Sequence, residues 1–422
     1  MFSTWGALTG LAVAIFLIIR RATPPYALVA GALVGGLLGG GGLQETVGAM
    51  ISGAQSMMPS VLRILTSGIL AGALVKTGSA EKLADAIIRA IGSRFALAAI
   101  AIATMIVTAV GVFVDIAVIT VAPVALAVGR RASLPVSALL VAMVGGGKAG
   151  NVVSPNPNTI AVADAFKVEL TDLMAKNIVP ALCALVVASL LSAWLARRER
   201  GAAASSFSPA EEEASASGVS GPGLIAAAAG PVVVVSLLAL RPICGITVDP
   251  LIALPAGGLV SIVACGSWRS TAAYCEYGLS KVAGVSILLV GTGAVAGIIK
   301  NSGLNTDMIS LLNACKLPAF ALAPLSGILL SGATASTTAG VTIAAQTFYG
   351  ALAEAGVPAL SAAAMLHAGG TIFDALPHGS FFHATAGAVG IGVKERLRLF
   401  PYGTLVGLTT TLTSVAMHML TR

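Results

Sequence analysis

Val141-Ala-Met-Val-Gly-Gly-Gly-Lys148-Ala-Gly-Asn151-Val-Val-Ser154-Pro155-Asn156-Pro157-Asn158-Thr159 begins as a helix apolar enough for a membrane and then breaks at glycines and prolines. The break exposes Asn, Ser and Thr before the chain turns apolar again. Ala364-Met-Leu-His367-Ala-Gly-Gly370-Thr-Ile-Phe-Asp374-Ala-Leu-Pro377-His378-Gly379-Ser380 follows the same plan, about 220 residues later. Free backbone groups cannot face lipid, so such breaks are tolerated only where they line a polar cavity. A matched pair in two halves points to the binding site of a secondary transporter.

Composition agrees. The 422 residues are 57% hydrophobic and 10% charged, with a mean hydropathy of +0.96, where a soluble domain carries roughly 25% charged residues. The chain is read as integral to a lipid bilayer. Its 49 glycines suit close packing between membrane helices. The formal net charge of +7 is assigned to basic residues on cytoplasmic loops, not to nucleic-acid binding. Cys183, Cys244, Cys265, Cys275 and Cys315 show no metal-ligand spacing, so no metal centre, disulfide framework or cofactor is expected. Residues 4–19 have no basic segment before them and Arg20-Arg21 after them, the pattern of a first transmembrane helix.

The hydrophilic stretch 198–222 divides the chain into a first unit, 1–197, and a second, 223–422. The halves echo each other at offsets of 222 to 226 residues: Gly31 with Gly257, Lys76 with Lys300, Gly78 with Gly303, Pro135 with Pro358, Pro155 with Pro377. Crossings are placed near 4–20, 25–43, 56–76, 137–166 (broken), 178–197, 223–241, 250–266, 281–300, 359–391 (broken) and 400–419. Residues 95–129 and 319–350 are too long for one crossing and carry polar or small residues in the middle, so each reads as a re-entrant hairpin. The basic residues Arg20, Arg21, Lys76, Lys82, Arg89, Arg94, Arg130, Arg131, Arg197, Arg198, Arg200, Arg269, Lys281, Lys394, Arg396 and Arg398 are put inside, with Lys167, Lys176, Arg241, Lys300, Lys316 and Arg422 outside. The fold class is therefore an all-α polytopic membrane protein. Each repeat has about five transmembrane helices, one of them broken, plus one re-entrant hairpin. Five crossings is an odd number, so the repeats are inverted.

Helix N-termini attract anions through unpaired N–H groups. Four are expected near mid-membrane, by Asp115, Ser154–Thr159, Ser336–Thr338 and His378–Ser380. Ser154, Asn156, Asn158, Thr159, Thr334, Ser336, Thr337, Thr338, His378 and Ser380 are the candidate substrate ligands, because neutral donors bind a carboxylate without the cost of a buried charge. Asp115, Lys148, Asp374 and His378 are the candidates for ion coupling, and Asp164 is a further charge near a break. The Asn151, Asn156 and Asn158 oxygens could instead hold sodium. His367 and His383 read as packing residues, Arg63 as a side chain reaching the interface, and His418 carries no signal.

The stretches Gly369-Gly370, Asp374-Ala-Leu-Pro377-His378-Gly379 and Val389-Gly-Ile-Gly-Val-Lys394-Glu395 resemble the gluconate permease (GntP) family, closest to its gluconate and 3-hydroxybutyrate branches. Ser154-Pro-Asn-Pro157 and Ser331–Thr338 sit where that family has Pro-rich and small polar stretches. The resemblance implies the ion-transporter superfamily fold, a scaffold plus a transport domain with two opposed hairpins, commonly dimeric, moving organic anions with H⁺ or Na⁺. The chain departs from the family pattern at Ser154–Pro157, so the particular substrate is not implied.

The expectation is a proton-coupled symporter of a small hydroxy-monocarboxylate in the bacterial inner membrane, working by alternating access as a homodimer. The alternative is a sodium-coupled di- or tricarboxylate symporter. A Ser–His intramembrane hydrolase lacks a nucleophile elbow and leaves the repeat unexplained. A passive channel is the remaining rival, separable by counterflow.

Overall fold

The computed structural model describes residues 2–199, 221–304 and 317–421, together with 306, 307, 310 and 314. Most of the expected linker 198–222 lies outside the described residues, as do Arg200, Cys315, Lys316 and Arg422. The described chain is helical, its one β-bridge pairing Phe2 with Ser302.

The first half contains α1 (Thr4–Ile19), α2 (Pro24–Leu38), α3 (Leu43–Gln55), α4 (Met58–Lys76), α5 (Ser79–Ile91), α6 (Ala96–Ala109), α7 (Val114–Arg131), α8 (Val136–Asn151), α9 (Pro157–Phe166), α10 (Leu170–Lys176) and α11 (Ile178–Arg198). The second contains α12 (Leu224–Cys244), α13 (Pro250–Ala264), α14 (Thr271–Lys300), α15 (Leu322–Thr334), α16 (Thr337–Glu354), α17 (Ala359–Gly369), α18 (Ser380–Ala388) and α19 (Val393–Leu420). By length and composition, Met58–Lys76, Ile178–Arg198, Leu224–Arg241 and Trp268–Lys300 can each cross a membrane. Six shorter apolar helices accompany them.

Both long segments fold as two helices joined by a turn, and both breaks form where expected. Residues 95–129 fold as α6 and α7 around a turn at Val110–Phe113, where Gly111 takes φ 110°. Residues 319–350 fold as α15 and α16, reversed at Ala335, whose φ of 46° is uncommon for a residue with a side chain. Pro157 opens α9 in the first turn, where proline's missing N–H costs nothing.

The halves differ in two respects. Pro59 and the turn before it separate α3 from α4, whereas the matching stretch of the second half runs unbroken as the 30-residue α14. The crossing expected at 281–300 therefore begins ten residues earlier, at Thr271. A kink at Asn177 likewise divides α10 from α11, while α19 is continuous over 28 residues.

Small residues decide the packing. Helices α1–α4 and α12–α14 form one group, held by backbone-to-backbone approach at glycines. A Cβ on Gly278 would lie 1.9 Å from the Gly68 carbonyl oxygen, and one on Gly297 2.1 Å from that of Ala49. The α1–α2 crossing at Gly10 and Gly31 recurs in the α12–α13 crossing at Gly230 and Gly257. The hairpins and broken helices form a second group with α11 and α19, equally tight: a Cβ on Gly146 would meet the Ala101 oxygen at 2.0 Å, and one on Gly327 the Leu366 oxygen at 2.2 Å. Where a helix of one group meets a helix of the other, the described glycine contact is Gly111 against the Leu70 side chain.

Cysteines placed at Arg94 and Arg131 of the intact protein in sealed vesicles are expected to react with an impermeant maleimide from the same face. Labelling from opposite faces would mean that α6 and α7 cross the membrane in full.

Candidate functional site

Each of the four half-helices that end inside the structure leaves carbonyl groups without intrahelical partners. At or just past each end a side chain reaches one or two of the carbonyls. At the end of α6, Ser154 Oγ donates to the Thr108 oxygen at 2.6 Å. At the end of α8, Asn156 Nδ2 reaches the Asn151 oxygen at 3.1 Å and Asn177 Nδ2 the Val152 oxygen at 3.2 Å. The His378 ring lies 3.3 Å from the Ala333 oxygen near the end of α15. Lys148 Nζ donates to the Thr371 oxygen, just past α17, at 2.6 Å.

The donor ends face outward into one space. A cavity of about 1040 Å³ is lined by the starts of α7 (Val114, Asp115), α16 (Ser336, Thr337, Thr338) and α18 (Gly379, Ser380, Phe381), and by Asn158 in the first turn of α9. Asn156 Oδ1 accepts from the amides of Asn158 and Thr159 at 2.9 and 3.2 Å, capping α9. Ser336 Oγ accepts from the Ala339 amide at 3.3 Å, and Asp115 Oδ1 from the Ile116 amide at 2.9 Å. No side chain caps α18. Its first amides are the ones left for a guest.

Beneath the cavity lies an ion pair. Lys148 Nζ is 2.7 Å from Asp374 Oδ1, with both side chains buried. The ammonium also faces the oxygens of Thr371 and, at 3.2 Å, Gly403. Thr337 Oγ1 donates to Asp374 Oδ2 at 2.8 Å. Thr338 Oγ1 donates to Asn158 Oδ1, whose Nδ2 donates to Asn151 Oδ1 at 2.9 Å. The second hairpin tip is thereby bonded to both breaks.

Of the sequence candidates, Asp115, Asn158, Thr334, Ser336, Thr337, Thr338, Asp374, His378 and Ser380 line the cavity. Asn151, Ser154, Asn156 and Thr159 do not; they are buried among themselves and shape the break. Asp374 is joined to Lys148 and Thr337, while His378 is exposed and turned to a backbone carbonyl. Arg63 does not reach for the interface: it bridges Asp164 and Asp249. Arg396, expected on the cytoplasmic surface, is buried over the Phe382 ring, with Nε donating to Thr385 Oγ1 at 3.2 Å. His383 is exposed and bonded to the Pro377 carbonyl at 2.8 Å, and His418 is buried edge-on against Phe320. Sequence reasoning missed the opposite wall, made by Arg21, Tyr26 and Lys281 of the first helix group. Lys281 was visible as the charge that opens an apolar run, but it had been counted only as a topology marker.

Residues 4–421 match the model of a family described as GntP family permease. A Haemophilus influenzae protein described as an uncharacterized transporter is 50% identical over 412 residues, 98% of this chain and 97% of its own. A second protein of that organism, described as an uncharacterized permease, is 28% identical over 196 residues, 46% of this chain and 40% of its own. Among solved structures, the Alcanivorax borkumensis YdaH transporter, described as having an unusual topology, shares the fold. The TM-score is 0.67 at 17% identity, over 88% of this chain and 87% of that one.

Replacing Lys148 by Met or Asp374 by Leu alone strands a buried charge, and each change is expected to cost about 3–5 kcal/mol. The double variant is expected to recover most of that loss. Thermal unfolding of the three proteins in detergent checks it; a double variant no more stable than the singles would show that the two charges do not depend on each other.

Proposed function

The chain belongs to the GntP permease family and is a multi-pass membrane transporter, and on that premise we propose that it is a proton-coupled symporter of a small hydroxy-monocarboxylate, such as gluconate or 3-hydroxybutyrate, working by alternating access. The observation that carries this reading is the sorting of backbone polarity at the breaks. A side-chain donor reaches a carbonyl at or just past each half-helix C-terminal end, while the starts of α7, α16 and α18 line the cavity. Such a site favours an anion. The carboxylate is placed at the uncapped start of α18, beside the Ser380 hydroxyl. Arg21 and Lys281 on the facing wall attract it. Asp115 can accept from a substrate hydroxyl and opposes a second carboxylate, which favours a hydroxy-monocarboxylate over a di- or tricarboxylate.

The sodium alternative draws no comparable support. Asn151 Oδ1 already accepts from two amides, Asn156 Oδ1 caps α9 and Asn158 Oδ1 accepts from Thr338. A sodium ion there must displace these bonds.

A helix–turn–helix followed by a broken helix recurs before and after 198–222, and the Gly10–Gly31 crossing is matched by Gly230–Gly257, which supports two repeats, 1–197 and 223–422, inverted relative to each other. An inner-membrane location with the cavity mouth on the cytoplasmic side, where Arg21 and Lys281 lie by the positive-inside rule, completes the proposal, together with a homodimeric assembly.

Purified protein in liposomes is expected to show counterflow of gluconate or 3-hydroxybutyrate and to concentrate it under an inward proton gradient. Ser380→Ala removes a hydroxyl facing the cavity at the uncapped start of α18. A lost hydrogen bond to a charged group is worth about 1.5–3 kcal/mol, so the half-saturation concentration should rise roughly ten- to hundredfold. Asn156→Ala should act on stability instead, through the lost α9 cap. Unchanged affinity in Ser380→Ala would move the carboxylate seat elsewhere, and absence of counterflow with both acids would refute the substrate class.

A further inference from the structure

A proton-driven carrier needs a group whose protonation changes which parts of the protein are joined. Asp374 does not qualify while Lys148 sits 2.7 Å away, because a proton on Asp374 strands a buried ammonium. His378 is exposed and bonded to a backbone carbonyl. A different cluster meets the requirement.

Arg63, in the first turns of α4, is shared between two carboxylates. Asp249, the N-cap of α13, takes Nε at 3.0 Å and Nη2 at 2.7 Å as a bidentate pair. Asp164, near the end of α9, takes Nη1, and its other oxygen accepts from Ser60 Oγ at 2.5 Å. Arg63, Ser60 and Asp249 belong to the first helix group and Asp164 to the second, so this bond ties the broken helix to the framework. Arg241 on α12 holds Asp172 on α10 at 2.7 Å, a further tie between the groups.

The cluster stands on the side opposite the cavity mouth. Lys76 at the end of α4 and Lys281 at the mouth both lie over the Tyr277 ring, at 4.4 and 4.9 Å. Arg63 is 13 residues earlier on α4, about 20 Å along the helix. A separate pocket of about 260 Å³ reaches Asp164 there.

The charge count favours Asp164 as the group that can let go. One arginine faces two carboxylates, so one proton brings the trio to neutrality and leaves Arg63 with a bidentate partner. The Arg63 guanidinium, by its hydrogen bonds, holds the Asp249 carboxyl below the usual carboxylate range, and Asp249 keeps its charge. Around Asp164 the same pocket carries Lys167 and Glu169. Lys167 lies over the Tyr349 ring of α16 at 5.8 Å. His367 on α17 is buried, with neither ring nitrogen hydrogen-bonded. Neither Tyr349 nor His367 bonds to Asp164.

We propose that Asp164 carries the proton that drives uptake, and that taking it up breaks the Arg63–Asp164 tie and frees the broken helix to move against the framework. The proton enters from the face opposite the cavity mouth and binds a carboxylate oxygen of Asp164, while Arg63 stays with Asp249. When the groups have moved it leaves to the cytoplasmic side, and the restored carboxylate takes Arg63 again. This rests on the reading of the chain as a proton-coupled symporter.

Liposomes containing the native protein, Asp164→Asn, Asp249→Asn or Asp374→Asn are compared for uptake and exchange of radiolabelled gluconate and 3-hydroxybutyrate. The native protein should concentrate one of these acids under an inward proton gradient. Asp164→Asn should lose that accumulation yet still exchange substrate for substrate. Asp249→Asn leaves Arg63 with Asp164 alone, so proton-driven uptake should fall at least tenfold. Accumulation by Asp164→Asn as high as native overturns the assignment and leaves the proposed function standing, as does an unaffected Asp249→Asn, or an Asp374→Asn that alone loses accumulation while exchanging. A native protein that exchanges substrate but ignores the proton gradient overturns proton symport itself, and this assignment with it.

Discussion

A helix that stops inside a bilayer strands backbone groups that water cannot reach, and the rest of this structure depends on how that constraint is met. It is met asymmetrically. Ser154, Asn156, Asn177, His378 and Lys148 supply donors to the stranded carbonyls, so the remaining unmet demand at the breaks is for acceptors. An anion is an acceptor. The polarity of the site follows from where side-chain donors are spent, and the helix dipoles add to it. Fixed cations contribute less than their number suggests, since Lys148 is matched by Asp374 and Arg396 lies behind Phe382.

This division explains what was legible in the sequence. Interrupted apolar runs at 141–159 and 364–380 announce breaks, because glycine, proline and polar residues have few other uses at that depth. The central turns of 95–129 and 319–350 were readable for the same reason. Cavity-facing side chains could not be separated from capping ones: Asn156 and Asn158 are two residues apart in one motif, yet one closes a helix and the other faces the cavity. That distinction is set by the turn between α8 and α9, which spacing does not encode. Ion pairs were the least legible. Lys148 and Asp374 lie 226 positions apart and Arg63 and Asp249 lie 186 apart, and no local pattern joins them. The extra turns of α14 were missed because charged and aromatic residues at 274–281 resemble a loop, although they extend a helix whose partner in the first half is cut at Pro59.

The two buried charge systems are built differently, and the difference is chemical. Lys148–Asp374 is one cation to one anion, with hydroxyl and carbonyl groups filling the remaining positions. Disturbing either member leaves a charge without a partner, which suits a fixed element of architecture. Arg63 has two carboxylates and keeps one if the other departs. A spare partner makes a bond reversible. The same kinds of ionised group therefore serve as a permanent joint in one place and as a releasable one in the other.

The glycine crossings have a mechanical consequence. Where Gly278 lies against Gly68, or Gly146 against Ala101, two backbones interlock with no side chain between them, and neither helix can slide without collision. Each helix group is thus a stiff plate. Between the plates lie side chains such as Leu70, which can change rotamer and let one surface pass over another. Stiffness is concentrated inside each body and compliance along the seam, the arrangement of a bearing. Work done at one end of such a device arrives at the other as displacement instead of being absorbed as strain.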